Sequence, residues 1–191
     1  MTPRPFIVLT GGPCGGKSTL MEELRHEGSF LFLPEAIFAV GGVGIPPSQK
    51  QFQRLMVRAQ WGLEDALTQT LQLDDDGLVL CNRGSLDPLA YWLTRGWEEE
   101  EFFSFTRTHR EEHYQRYAVV IHLVTAADGA AHAYKRYPEA HRPETVEESI
   151  RLDRLLGQVW QGHPRYYRMD NIGVTWEEKS SKAKQIIRGL M

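Results

Sequence analysis

Residues Gly11-Gly12-Pro13-Cys14-Gly15-Gly16-Lys17-Ser18 combine glycines, a lysine and a hydroxyl at the spacing G-x-x-x-x-G-K-[ST]. The chemistry that needs this combination is the holding of a phosphate chain. Glycines let backbone N–H groups turn inward around phosphate oxygens. A helix starting at the lysine adds the positive end of its dipole. Lys17 then reaches the β- and γ-phosphates, the Ser18 hydroxyl ligates Mg²⁺, and Thr19 helps to hold the α-phosphate. The expected nucleotide-binding set is therefore Gly12, Pro13, Cys14, Gly15, Gly16, Lys17, Ser18 and Thr19, with Ser18 the metal ligand. A glycine-rich turn without a ligand is the competing account. It is disfavoured because Phe6–Thr10 reads as a strand and Lys17–His26 as a helix, the context the motif requires. Cys14 is read as a small filler inside the loop, with a redox role as the alternative.

Three further positions bear on chemistry. The run Phe30–Leu33 ends in Pro34-Glu35, and Leu78–Cys81 ends in Asn82-Arg83. In a parallel sheet, ligands collect at the carboxyl ends of the strands. Glu35 is expected there as the general base that takes a proton from an acceptor hydroxyl, against the alternative of a surface loop residue. Arg83 is expected to neutralise charge on a transferring phosphoryl group. Asp87 either caps the next helix or joins the Mg²⁺ water shell, and capping is the simpler account. Beyond the fourth strand, Arg136 and Arg142 stand on a segment, about 128–145, that could close over a triphosphate. Asn171 follows the fifth strand, where a base-contacting loop would lie. Asp170-Asn171 does not match the guanine-reading Asn-Lys-x-Asp pattern, which favours ATP over GTP.

These residues need elements to hold them. Five short apolar runs alternate with helical patterns, which reads as repeated βα units around a parallel sheet. The runs are 6–9, 30–33, 78–81, 119–124 and 166–169. Phe52, Leu55, Met56, Ala59, Leu63, Ala66 and Leu67 follow helical spacing and predict one buried stripe. Leu152, Leu155, Leu156, Val159 and Trp160 predict another. Thr145 with Glu148, and Thr175 with Glu178, have capping-box spacing and open the last two helices. Ala183, Ile186, Ile187 and Leu190 form the inner face of the final one. The stretch from Glu98 to Tyr117 is expected to be helical, with Glu98–Glu101 meeting the positive dipole end at its start. Gly41–Pro47 reads as a flexible stretch, either an acceptor-site loop or a connector.

A net charge of −3 provides no global basic field for nucleic acid or an anionic membrane. No apolar run approaches the 18 or so residues of a membrane span. Met1–Pro5 leads directly into the first strand and leaves no room for a signal peptide. Two cysteines, Cys14 and Cys81, make no disulfide framework, so the expected setting is a reducing cytoplasm. His109-Arg110-Glu111-Glu112-His113 matches H-x-x-E-H, a metal-binding spacing. No third-ligand motif accompanies it, and an exposed, charged helix face is the better account. Trp61, opposite the apolar stripe, is left between an acceptor contact, a partner-subunit contact and simple packing.

An ordered set of segments along nearly the whole chain resembles the NadR-type P-loop domains, which include ribosylnicotinamide kinases. The set comprises the Gly-Gly-Pro start of the loop, Pro34-Glu35, Asn82–Asp87 with Ala90-Tyr91-Trp92, and Leu123–Ala126. It continues through His141–Glu144, Leu152-Asp153, Trp160–Pro164 and Asp170-Asn171. The resemblance implies a five-stranded parallel sheet, ATP or GTP binding, and phosphoryl transfer to a small acceptor. It places Arg83 at the family's substrate- and phosphate-contacting arginine and Arg142 at its lid arginine. It also marks a departure, because Asn82 stands where the family usually carries an aspartate of the Mg²⁺ shell. The reading is thus a single α/β domain, residues 1–191, with a three-layer α/β/α P-loop fold of the nucleoside- or nucleotide-kinase kind. Its ligands would be ATP (or GTP), Mg²⁺ and a small-molecule acceptor. The alternative is a regulatory nucleotide-binding module with slow or no hydrolysis. A homodimer is left open.

Overall fold

A computed structural model of the chain describes residues 6–27, 30–40, 43–70, 77–134 and 144–191. Five strands, β1 (Phe6–Thr10), β2 (Phe30–Leu33), β3 (Leu78–Asn82), β4 (Tyr117–Leu123) and β5 (Tyr166–Met169), form one sheet in the order β2-β3-β1-β4-β5. All four pairings are parallel. Parallel strands need crossover connections, and here helices supply them. β1 and β3 are buried along their whole length, which explains their unbroken apolar sequence.

Alternation along the strands divides the core in two. Phe6, Val8, Val79, Cys81 and Val120 face one layer of helices: α3 (Lys50–Thr70), α4 (Asp87–Thr94), α5 (Glu99–Thr106) and α7 (Val146–Trp160). Ile7, Leu9, Leu78, Leu80, Val119 and Ile121 face α1 (Lys17–Arg25) and α8 (Trp176–Arg188). The three-layer α/β/α fold expected from the sequence is the fold observed. Both predicted capping boxes form: Thr145 and Thr175 accept from the backbone N–H of Glu148 and Glu178, and those glutamates accept in return. Among the described residues no helix is long and apolar enough to cross a membrane.

Three expectations need correction. The stretch from Glu98 is not one helix. It breaks at Arg107, which takes a left-handed φ of 56°, and resumes as α6 (Arg110–Gln115) before Tyr117 opens β4. On α3 the buried line keeps only Phe52 of the expected stripe and otherwise runs through Gln53, Val57, Gln60 and Glu64; Leu55, Met56, Ala59, Leu63 and Leu67 are partly buried, and Ala66 is exposed. A buried polar line is tolerated because its groups are satisfied. The Glu64 carboxylate accepts from Gln60 Nε2 (2.8 Å), Tyr117 Oη (2.6 Å) and Arg116 Nε (2.6 Å). Third, His113 does not lie on an exposed face. It is fully buried against the Trp61 ring and bonded to Ser85 Oγ (2.8 Å) and Thr108 Oγ1 (3.0 Å). Trp61 packs there too, with the Arg58 and Arg116 guanidinium groups over its ring. Among the described residues no group of three or more His, Cys, Asp or Glu side chains could hold a metal ion.

Burial, reinforced by Arg116, Arg110 and Arg58, pulls the His113 pKa down from 6.5 to about 3. The unfolded chain therefore takes up a proton that the folded chain refuses. The stability this site contributes is present above about pH 6.5 and is lost as the pH falls toward about 3. Melting temperatures at pH 7 and pH 5 should show a larger acid-induced drop for the wild type than for His113→Gln. Equal drops would contradict the assignment.

Candidate functional site

The loop 11–16 runs from the carboxyl end of β1 into α1. Its residues Gly11, Cys14 and Gly16 all take positive φ, 124°, 56° and 95°, so the backbone coils back on itself. Gly16 is the N-cap of α1 and makes no side-chain cap, which leaves the helix's first N–H groups available to an anion. A side chain at Gly16 would be strained at that φ, and its Cβ would stand 2.1 Å from the Trp176 ring. At Gly15 a Cβ would stand 2.3 Å from the Leu123 carbonyl oxygen, so backbone approach excludes any other residue. Lys17 is buried at 4% exposure and curls back over the loop. Its Nζ donates to the carbonyls of Gly11 (2.7 Å) and Gly12 (2.9 Å). Ser18 and Thr19 are exposed. A loop of this shape, with an uncapped helix start and an ammonium inside it, fits a phosphate chain.

The second half of the site is built round a buried carboxylate. Asp87 does not cap α4: Leu86 is the N-cap, and no side-chain cap bond forms there. Its Oδ1 accepts from Thr10 Oγ1 (2.9 Å) and Trp160 Nε1 (2.6 Å), and its Oδ2 from Arg83 Nη1 (3.2 Å). Capping would satisfy one local donor, whereas this position closes three buried polar groups from β1, α7 and the β3 exit. Arg83 takes a φ of 78°, a conformation costing of order 1–3 kcal/mol that persists only where the surroundings impose it. Its Nε donates to Glu35 Oε2 (3.3 Å), and its Nη1 lies 3.4 Å from the Gly11 carbonyl oxygen. Burial disfavours the guanidinium charge, but Tyr91, Glu35 and Asp87 outweigh that and push its pKa up. Arg83 and Glu35, predicted from strands 48 residues apart, thus meet beside the loop. Asn82 ends β3 on the face of Leu78 and Leu80, toward α1, and its Oδ1 is buried without a hydrogen-bond partner.

Beside this pair opens a cavity of about 800 Å³, lined by Pro13 of the loop, Glu35, Arg83 and Asp87, and otherwise largely by apolar side chains. The apolar walls come from α2 (Ala36–Val40), the 43–47 stretch, and Phe52 and Met56 of α3. The 43–47 part of the predicted acceptor-site loop therefore does line a cavity; Gly41 and Gly42 lie outside the described residues. Polar positions on the wall are Gln53, Gln60, Tyr91, Arg95 and Glu144. The Glu144 Oε2 is buried without a partner. Burial, with Glu35, Glu144 and Asp87 nearby, pushes the Tyr91 hydroxyl pKa up to about 12 against the pull of Arg83.

Other predicted positions fare differently. Asn171 is not offered to a base. Its Nδ2 donates to the carbonyls of Thr125 (2.8 Å) and Asp128 (2.7 Å) and lies 3.3 Å from that of Val124. Its Oδ1 accepts from Lys179 Nζ (2.7 Å), whose pKa burial pulls down to about 8. Asn171 is a strut between the loops that follow β4 and β5. Arg136, His141 and Arg142 lie outside the described residues. Two contributors gave no signal of role in the sequence. Asp153 accepts from the Gly12 N–H at 2.7 Å, and Glu144 lines the cavity.

The family described as an AAA domain matches residues 6–179. The chain belongs to that family. Two crystal structures of the NadR protein, one in complex with NR and one with NAD and AMP-PNP, superpose with TM-scores of 0.68 and 0.63 at 16% identity. Each alignment covers 98% of this chain but only 51% and 49% of those chains, so the protein spans about half their length. Deoxyadenosine kinase from M. mycoides with bound dATP superposes with a TM-score of 0.61 at 12% identity, covering 96% of this chain and 99% of that one. No curated protein matches. At these identities the likeness shows the fold alone.

Removing a buried partner of several donors is costly, because the donors stay buried. Asp87→Ala should lower the unfolding free energy by about 3 kcal/mol in a denaturant titration, since it strands Arg83, Thr10 and Trp160 together. A loss below about 1 kcal/mol would be that of an exposed ion pair and would contradict the account.

Proposed function

We propose that this AAA-domain protein is an ATP-dependent small-molecule kinase whose acceptor is an alcohol of nucleoside-like size. One observation carries the reading. The Glu35–Arg83 pair sits where the phosphate loop meets a cavity of about 800 Å³, inside the range of about 300–1,000 Å³ usual for small-molecule sites. A nucleotide hydrolase needs no such second chamber, whereas a kinase must hold an acceptor in line with the phosphate. That NadR is seen with NR and with AMP-PNP, and deoxyadenosine kinase with dATP, supports a nucleoside-like acceptor and an adenine nucleotide.

In this reading the loop amides and Lys17 hold the triphosphate, which supplies the transferable phosphoryl group. Lys17 gives up its bonds to the Gly11 and Gly12 carbonyls for phosphate oxygens. Glu35 accepts the proton of the acceptor hydroxyl, and Arg83 neutralises charge as the phosphoryl group transfers. Ser18, which is exposed, and Asn82, whose Oδ1 has no hydrogen-bond partner, would be the oxygen donors to hold Mg²⁺ together with phosphate oxygens and water. Arg136 and Arg142 would supply further positive charge over the phosphates.

Asn82 also favours a second reading, a regulatory module that binds nucleotide and turns it over slowly. A neutral amide holds a metal shell more weakly than a carboxylate.

Purified protein with ATP and Mg²⁺ should release ADP in the presence of the right member of a panel of nucleosides and related alcohols, with a phosphorylated product seen by mass spectrometry. Tight ATP binding with no acceptor-stimulated release across a wide panel would favour the regulatory module. Lys17→Ala should abolish ATP binding in a calorimetric titration; undiminished affinity would sink the site. Asn82→Asp should raise Mg²⁺-dependent turnover, and no gain would mean that the metal shell is completed without residue 82.

A further inference from the structure

An acid in the middle of α7 has no place in the proposed chemistry, yet it is 2% exposed and points at the phosphate loop. Asp153 Oδ1 accepts from the backbone N–H of Gly12 (2.7 Å) and of Thr125 (3.0 Å). His122 Nε2 stands 3.1 Å from the same oxygen, without the alignment of a hydrogen bond, and its Nδ1 is 2.6 Å from Tyr166 Oη. Burying a carboxylate without compensation is strongly unfavourable. Here burial acts to raise the Asp153 pKa, but the His122 imidazole and the two backbone N–H groups prevail and hold it below the ordinary range.

The loop is stitched at three consecutive residues. The Gly12 N–H goes to Asp153, the Pro13 carbonyl accepts from Thr125 Oγ1, and the Cys14 carbonyl accepts from the Ala126 N–H at 3.2 Å. Thr125 is itself held by Asp153, so one carboxylate organises both sides of the seam. Gly12 is also a residue whose carbonyl takes the Lys17 ammonium. If Lys17 leaves that carbonyl for phosphate, the bonds to α7 and to the end of β4 remain to hold the loop.

We propose that Asp153 is a positioning residue for nucleotide binding, fixing the phosphate loop at Gly12 and Thr125 in the shape that accepts a triphosphate. The proposal rests on the reading of residues 11–18 as a nucleotide site. It differs from a purely stabilising role in what it predicts for affinity at temperatures where every variant is folded.

The test is calorimetric titration of Mg²⁺ and a non-hydrolysable ATP analogue at 10 °C or so, well below unfolding, with melting temperatures recorded in parallel. Asp153→Ala should bind the analogue about tenfold more weakly or worse, having lost two bonds to a charged acceptor. Asp153→Asn keeps an oxygen that accepts from both N–H groups and should recover most of that affinity. If the alanine variant does not fold, Asp153→Ser serves the same comparison, because its oxygen falls one bond short of Gly12. Unchanged affinity in Asp153→Ala or Asp153→Ser, whatever the melting temperature, would overturn the proposal alone. Failure of the wild-type chain to bind the analogue would overturn the nucleotide reading and this proposal with it.

Discussion

A backbone loop that gathers N–H groups around an anion cannot stabilise itself. Its φ angles at Gly11, Cys14 and Gly16 sit where side chains are strained. Every other feature of this molecule can be read from that requirement. The loop is clamped from below by the Leu123 carbonyl, which no side chain at Gly15 would clear, and from the side by the Trp176 ring against Gly16. The end of β4 and α7 hold it through Thr125 and Asp153. These clamps come from the centre of the sheet, where β1 lies between β3 and β4, and a loop at that place inherits the rigidity of the core.

The Glu35–Arg83 side follows from the same geometry. β3 neighbours β1, so its exit delivers Arg83 next to the loop, and β2 neighbours β3, so its exit delivers Glu35 next to Arg83. Asp87 then fixes the guanidinium by joining it to Thr10 and Trp160. The cavity opens between α2, α3 and the Glu35–Arg83 pair. Glu144, just before α7, lines that cavity, while Asp153 within α7 holds the loop.

What the sequence made legible was local. The phosphate loop, the five strands and both capping boxes are written in residues that lie close together, and each appears in the structure where spacing put it. Glu35 and Arg83 were legible because the ends of parallel strands converge. Features that spacing did not reveal depend on distant partners. Asp153 meets Gly12 across 141 residues and Asp87 meets Trp160 across 73, and neither pairing leaves a periodic trace. The buried polar line of α3 was missed because apolar spacing assumes that polar residues face water, and Glu64 is satisfied instead by Tyr117 and Arg116 from outside the helix. Asn171 lies after β5 as expected, and what spacing could not show is that its carboxamide holds three backbone carbonyls and Lys179.

The central claim is that residues 11–19 wrap a triphosphate, and backbone amide ¹H–¹⁵N spectra recorded during a titration with MgATP test it most directly. The account predicts saturable shifts concentrated at the amides of Gly12 and of Cys14 through Thr19, larger than those anywhere else in the chain. Saturable shifts centred on another region, or none at all at millimolar MgATP, would contradict it.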